Sequence, residues 1–375
     1  MPSETTKTVY LNHAGTSWPK PKPVTEALNR FASSDPGEWP HLFKTAFRTV
    51  ADFFHVDQSR LLITPSCTAA LQLAMMDHDW KIGDRVLSSQ FEHHAISRNL
   101  SKLTELGVEV VKIPYGKSDL VDLDLLESEL KNGNVKLVAM TAACNVTGRL
   151  LPATEVIHLA HQYNSLVLID GAQIAGWWDL DLKAFEADFF TFAGHKGPQA
   201  PWGVGGLYVA PETEMNCCFA TCDLVSKPDR FAMPGYCDSG SVNLPALLGM
   251  AAGCQALANA ENASRLNASR EFAAIFANQV RQIPGVAIYH DVPAEMKMPS
   301  VAIDVEGMKS AEVAKALRDK GIIVSGGFQC SPDSHQALET AEKGLTRFSF
   351  APTNSAADVE FATKSLMELR SRLGG

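Results

Sequence analysis

No stretch of the chain stays apolar for the roughly 20 residues that a membrane-spanning helix needs. The opening segment MPSETTKTVYLNHAG has no apolar core of the signal-peptide kind. Both absences lead us to expect a cytoplasmic protein. Basic runs and basic arms are missing too. Acidic residues outnumber basic ones by 42 to 33, and the formal net charge is −9. That balance argues against nucleic acid or an anionic membrane as partner, since both are held by clustered cations. Cysteine is sparse, 8 in 375 residues, which excludes a disulfide framework. Cys217, Cys218 and Cys222 lie close together, but their spacing fits no zinc pattern and no histidine is near them, so free thiols and no metal are expected. Internal repeats and low-complexity segments are absent as well. What remains is a chain of ordinary globular composition, 46% hydrophobic and 20% charged, long enough for one large domain and a smaller one.

From about Leu61 short apolar runs alternate with amphipathic stretches. RLLIT, RVLSS, VEVVKIP, VKLVAMT and SLVLID read as strands. TAALQLAMMDH, AISRNLSKLTELG, DLDLLESELK and ATEVIHLAHQYN read as the helices between them. Such alternation predicts an α/β fold whose mostly parallel sheet is covered by helices on both faces. After about Pro245 a long helical region leads into further strands and helices, which predicts a smaller α/β domain. The stretch SGGFQCSPDSHQ interrupts it and reads as a mobile loop.

Parallel sheets gather ligands at the carboxyl ends of their strands. After LLIT come Ser66, Cys67 and Thr68, opening a helix. Backbone N–H groups and a hydroxyl there suit a phosphate, and equally an ordinary helix cap. After RVLSS come Glu92, His93 and His94; after VKLVAMT comes Asn145; SLVLID ends in Asp170, followed by Gln173; after ADFFTF come His195 and Lys196. Lys196 follows Phe189, Phe190 and Phe192, surroundings that would favour its neutral, nucleophilic amine. A turn lysine with its amine in water is the alternative. Together these residues offer what pyridoxal 5′-phosphate needs: an amine for its aldehyde, a carboxylate for its ring nitrogen, and a phosphate nest.

The motifs YLNHAGTSWPKP, TPSCTAAL, EHHA, NVTG, IDGAQ, GHKGPQAPWGVGGLYV, DSGSVN and TRFSF resemble, in order and spacing, those of the class V aminotransferase superfamily. The likeness covers nearly the full length and is nearest the cysteine desulfurase and selenocysteine lyase branch. It implies fold-type I architecture, with a large cofactor-binding domain over residues 12–245 and a small domain over 246–375, joined by residues 1–30. It implies that Lys196 holds the cofactor as an aldimine and moves a proton at the substrate α-carbon. Asp170 would pair with the pyridine nitrogen, Gln173 would reach the phenolic oxygen, and His93 would stack on the ring. Thr68, the Cys67 backbone and His195 would hold the phosphate. Gly240 and Ser241 would reach the phosphate of a neighbouring subunit, which implies a homodimer. Asn145 and Arg347 would bind the substrate carboxylate. Cys330 aligns with the cysteine that takes sulfur as a persulfide, for delivery to an acceptor protein.

This chain departs from the family pattern near Cys330, where an arginine and a histidine are replaced within Ser325-Gly-Gly-Phe-Gln329-Cys330. Ala193 stands where the family has a hydroxyl, and Asn12-His13 where it has an aspartate–asparagine pair. The expected activity is removal of sulfur or selenium from a cysteine-like amino acid. An aminotransferase or epimerase in which Cys330 is incidental is the alternative.

Overall fold

The computed structural model describes residues 8–116, 120–215, 242–258 and 262–372. In chain order the first elements are β1 (Val9–Tyr10), α1 (Lys22–Ala32), α2 (Trp39–Phe53), β2 (Leu61–Thr64), α3 (Cys67–Met76), β3 (Arg85–Ser89), α4 (His94–Glu105) and β4 (Glu109–Ile113). Next come α5 (Leu123–Lys131), β5 (Val135–Thr141), α6 (Ala153–Gln162), β6 (Leu166–Asp170), β7 (Phe189–Ala193), β8 (Gly205–Val209), α7 (Leu244–Ala258) and α8 (Asn262–Val280). The last are β9 (Val286–Tyr289), β10 (Ser300–Val305), α9 (Ser310–Arg318), β11 (Ile322–Ile323), β12 (Ser325–Gly327), α10 (Pro332–Ala337), β13 (Leu345–Ser349) and α11 (Ala356–Ser371).

Two compact units emerge. The larger takes its described residues from Lys20–Ala142 and Leu151–Asn262, the smaller from Met1–Pro19, Ala143–Leu150 and Ala263–Gly375. The larger unit is built on a sheet of order β2-β8-β7-β6-β5-β3-β4. β8 pairs antiparallel with both neighbours, and the other pairings are parallel. Every residue of β3, β7 and β8 is buried, as strands covered on both faces must be. Helix α4 shows how the sequence chooses its face: Ile96, Leu100 and Leu103 recur at helical spacing and are all buried. Helix α7 packs on α1 and α2.

The smaller unit has an antiparallel sheet of order β12-β13-β10-β9 and a parallel pair of β1 with β11. Its core gathers Phe276, Val301, Ile303, Phe348, Phe350 and Leu366. The stretch expected as a mobile loop carries an edge strand, β12, and a short helix, α10, instead. Ser-Gly-Gly has no apolar signature, but it pairs through its backbone with β13. At Gly326 a β-carbon would sit 2.4 Å from the Ser310 carbonyl oxygen, so a residue that reads as a loop former is there for close packing.

Candidate active site

Because only β8 opposes them, β2, β3, β5, β6 and β7 run the same way. The residues that follow them therefore collect along one edge of the sheet. At the end of β2, Ser66 caps α3: its side chain accepts from the Ala69 amide at 3.1 Å. The amides of Cys67 and Thr68 open the helix and meet no acceptor among the described residues. Gly205 on β8 lets this turn come close, since a β-carbon there would lie 2.7 Å from the Cys67 nitrogen. The Cys67 side chain is buried, with Sγ 3.5 Å from Asp170 Oδ1 and 3.4 Å from Thr191 Oγ1. Burial, followed by the charge of Asp170, pushes this thiol well above its ordinary range, so it stays protonated and donates.

Asp170 ends β6 and is 4% exposed. Its Oδ1 also accepts from the Ala172 amide at 2.9 Å. It forms no salt bridge among the described residues. Gln173 is buried one turn further on. On the adjacent strand β7, Phe189, Phe190 and Phe192 are fully buried, and the chain then turns through His195 and half-buried Lys196. The turn lies against the segment that follows Asp170: a β-carbon at Gly197 would be 1.8 Å from the Ala175 carbonyl oxygen. Cys67 feels the charges of both Asp170 and Lys196. His195 is pushed down to about 4 by burial and by Lys196 and Lys20, so its ring is neutral at pH 7. Lys20, itself lowered to about 8 by burial, donates to the His195 carbonyl at 3.2 Å.

At the end of β3, His93 caps α4, its Nδ1 accepting from the Ala95 amide at 3.1 Å. That contact fixes the ring and leaves its proton on Nε2. Glu92, whose role the sequence did not reveal, is fully buried. It accepts from the Ser89 hydroxyl and, at 2.8 Å, from the Thr141 amide. Desolvation raises it to about 8 despite these bonds, with Asp170 adding to the rise.

The smaller unit holds the other expected residues. Arg347 on β13 is 3% exposed. Its guanidinium donates to the Asn145 carbonyl and, at 3.1 Å, to Asn12 Oδ1, while its Nε has no partner among the described residues. Burial lowers it to about 10, so it remains a cation at neutral pH. The Asn145 amide donates to the Gln329 carbonyl at 2.6 Å and accepts from the Ser331 hydroxyl at 2.6 Å. Between those two anchors lies Cys330, exposed and within the electrostatic reach of Arg347. Gln329 and Cys330 both adopt left-handed backbone, φ 43° and 59°. The Gln329 side chain donates to the Leu345 carbonyl at 2.8 Å and meets His335 Nε2 at 3.1 Å. Gly240 and Ser241 lie outside the described residues.

The sequence profile of the family described as "Aminotransferase class-V" matches residues 9–361. The chain belongs to that family. A probable cysteine desulfurase of Pyrococcus abyssi is 25% identical over 97% of this chain and 95% of that protein. Cysteine desulfurase CsdA of Escherichia coli K12 is 27% identical over 94% and 91%. Among solved structures, the apo cysteine desulfurase of Thermococcus onnurineus shares the fold, with a TM-score of 0.85, 24% identity and coverage of 97% and 95%. The architecture is thus fold-type I, and membership in the class-V family makes this a pyridoxal 5′-phosphate-dependent enzyme. The residues present fit that cofactor. Asp170 is a buried carboxylate with no salt bridge among the described residues, a place that a protonated ring nitrogen would suit. The open amides at the start of α3 suit its phosphate.

Proposed function

We propose that the protein is a cysteine desulfurase, taking sulfur from L-cysteine, or selenium from its selenium analogue, and leaving alanine. The observation that carries this reading is the smaller unit's pairing of exposed Cys330 with buried Arg347, whose Nε is unmatched. A guanidinium with a spare donor suits a substrate carboxylate, and a thiol within its field is placed to receive the sulfur. The family and the desulfurases similar to this chain support the same reading.

In this reading Lys196 holds the cofactor through its amine and carries a proton to and from the substrate α-carbon. Asp170 keeps the ring nitrogen protonated, and the Cys67 thiol steadies that carboxylate. Gln173 reaches the phenolic oxygen and His93, fixed by its capping bond, stacks on the ring. Thr68, the Cys67 backbone and His195 hold the phosphate, with Gly240 and Ser241 serving the neighbouring subunit of a homodimer. Asn145 and Arg347 bind the substrate carboxylate. The bound cofactor supplies an electron sink for the α-carbon. The substrate's carbon–sulfur bond breaks and a sulfur–sulfur bond forms at Cys330 Sγ; the two thiol hydrogens end on the alanine methyl and the persulfide. An acceptor protein in the cytoplasm then takes the sulfur.

Two experiments test this reading. Borohydride reduction of the cofactor-loaded protein and peptide mass analysis should place the pyridoxyl group on Lys196; another lysine would overturn that assignment. Given cysteine, the parent should release alanine and accumulate persulfide on Cys330, and Cys330→Ala should do neither. Equal rates of alanine and sulfide release by both proteins would refute the persulfide route. A parent inert to cysteine that transfers the amino group of another amino acid would favour the aminotransferase reading, in which Cys330 is incidental. Gln329 at the usual histidine position is the observation on that side.

A further inference from the structure

The smaller unit contains a cavity of about 380 Å3 between α8 and residues 291–301. Its walls are partly apolar, with Ala273, Val292 and Met298 among them, and three cations line it: Arg270, Arg281 and Lys297. Two of these are engaged by protein oxygens. Arg281 forms a bidentate pair with Asp291 at 2.6 and 2.7 Å. Arg270 donates to the carbonyls of Lys297 and Glu295 at 2.9 and 3.1 Å. Lys297 differs. It is 6% exposed, and its side-chain amine makes no hydrogen bond or ion pair among the described residues. A largely buried ammonium with no oxygen bonded to it is costly, and Asp291 acts on it only through space.

The backbone around Lys297 is firmly placed. Lys297 bridges to Arg149, the Leu150 amide donates to the Met296 carbonyl at 3.0 Å, and the Met298 amide to the Gly148 carbonyl at 2.7 Å. The charged and titratable groups about the amine are Asp291 and Arg281, with His290 also in its field and Arg149 acting on that histidine. Arg270 also lines the cavity, with the Glu295 carboxylate acting on it. Their balance is cationic, with Asp291 already matched to Arg281.

We propose that this cavity binds a small organic carboxylate with an apolar body, its carboxylate on the Lys297 ammonium and its body against the alanine, valine and methionine walls. One unmatched cation calls for one negative charge, and the walls favour an apolar remainder over an inorganic ion. Burial lowers Lys297 to about 8, so its ammonium form, and with it the affinity, is lost as pH rises through that value.

The probe is 4-methylpentanoate, titrated by calorimetry into cofactor-loaded protein, with saturating L-alanine to cover the substrate position and 4-methylpentanamide as the uncharged control. One site per chain is expected. A group titrating at about 8 is mostly charged at pH 7 and mostly neutral at pH 9, so affinity should fall about tenfold between them. Lys297→Met should weaken binding at least tenfold, and Lys297→Arg should keep it with little pH dependence. No alanine-insensitive binding, amide binding equal to the acid, or Lys297→Met within twofold of the parent each overturns the proposal. If Lys297→Met does not fold, Lys297→Arg decides, because a tenfold pH dependence surviving there cannot belong to Lys297.

Discussion

Replacing Glu92 by glutamine should make the protein more stable, and increasingly so as pH rises. Glu92 is fully buried and raised to about 8, whereas in the unfolded chain it returns to the ordinary 4.5. Between those values the folded state keeps a proton that the unfolded state has lost. Stability tied to this proton is complete below about 4.5 and is lost as pH rises through about 8. The whole interval corresponds to about 5 kcal/mol, and the part between pH 6 and pH 9 to about 3 kcal/mol. Glutamine is nearly isosteric, never ionises, and can still accept from the Thr141 amide at the position where Glu92 does at 2.8 Å. The assay is urea unfolding of parent and Glu92→Gln, both freed of cofactor, followed by circular dichroism at pH 6 and pH 9. Other groups that titrate in this window, Lys20 and Lys297 among them, are present in both proteins and cancel in the difference. The advantage of Glu92→Gln should grow by about 3 kcal/mol from pH 6 to pH 9. A difference that is constant with pH, or that shrinks, would refute the reasoning and mean that Glu92 is ionised in the fold.

On the acid side His335 acts together with His195 and His290, which are likewise pushed down to about 4. Fully buried and pushed down to about 4 by desolvation, it should draw stability down as pH falls from about 6.5 towards 4, by at most about 1.4 kcal/mol per unit; His335→Gln should flatten that limb of a urea-midpoint profile. In the proposed role of Asp170, Asp170→Ala would remove a charge-assisted bond of about 2–3 kcal/mol and should lower kcat for cysteine about 30- to 150-fold; near-normal turnover would give the task to another group. Arg347→Lys loses the planar fork and should raise KM for cysteine about ten- to hundredfold, and an unchanged KM would place the carboxylate elsewhere. Light scattering should report twice the 40.6 kDa chain mass, and a fully active monomer would exclude sites shared between subunits.

The central strands β5, β6 and β7 were legible because they are buried on both faces and so read as continuous apolar runs. β1 and β12 were not. β1 has two residues, and β12 is Ser-Gly-Gly; both exist through backbone pairing that leaves no pattern in side chains. The expected cofactor residues could be picked out because a parallel sheet sends its strand ends to one edge, where Cys67, His93, Asp170 and Lys196 follow their strands closely. Glu92 escaped notice as a protonated acid, since only three-dimensional burial makes it one. The anchoring of the Cys330 turn was equally hidden. Asn145 stands 184 residues from Gln329 and 186 from Ser331, and no local spacing announces such a contact.

The contact of Gln329 with His335 bears on how this sequence can diverge. Gln329 carries donor and acceptor at equal distance from its backbone, one on the Leu345 carbonyl and the other on His335. An imidazole holds its two nitrogens at unequal distances, so a histidine at 329 cannot serve both partners. His335 would lose that partner while keeping Thr340, at 2.7 Å on its other nitrogen. A histidine at position 329 therefore calls for a compensating change at position 335. In descendants of this chain, 329 and 335 should vary as a pair.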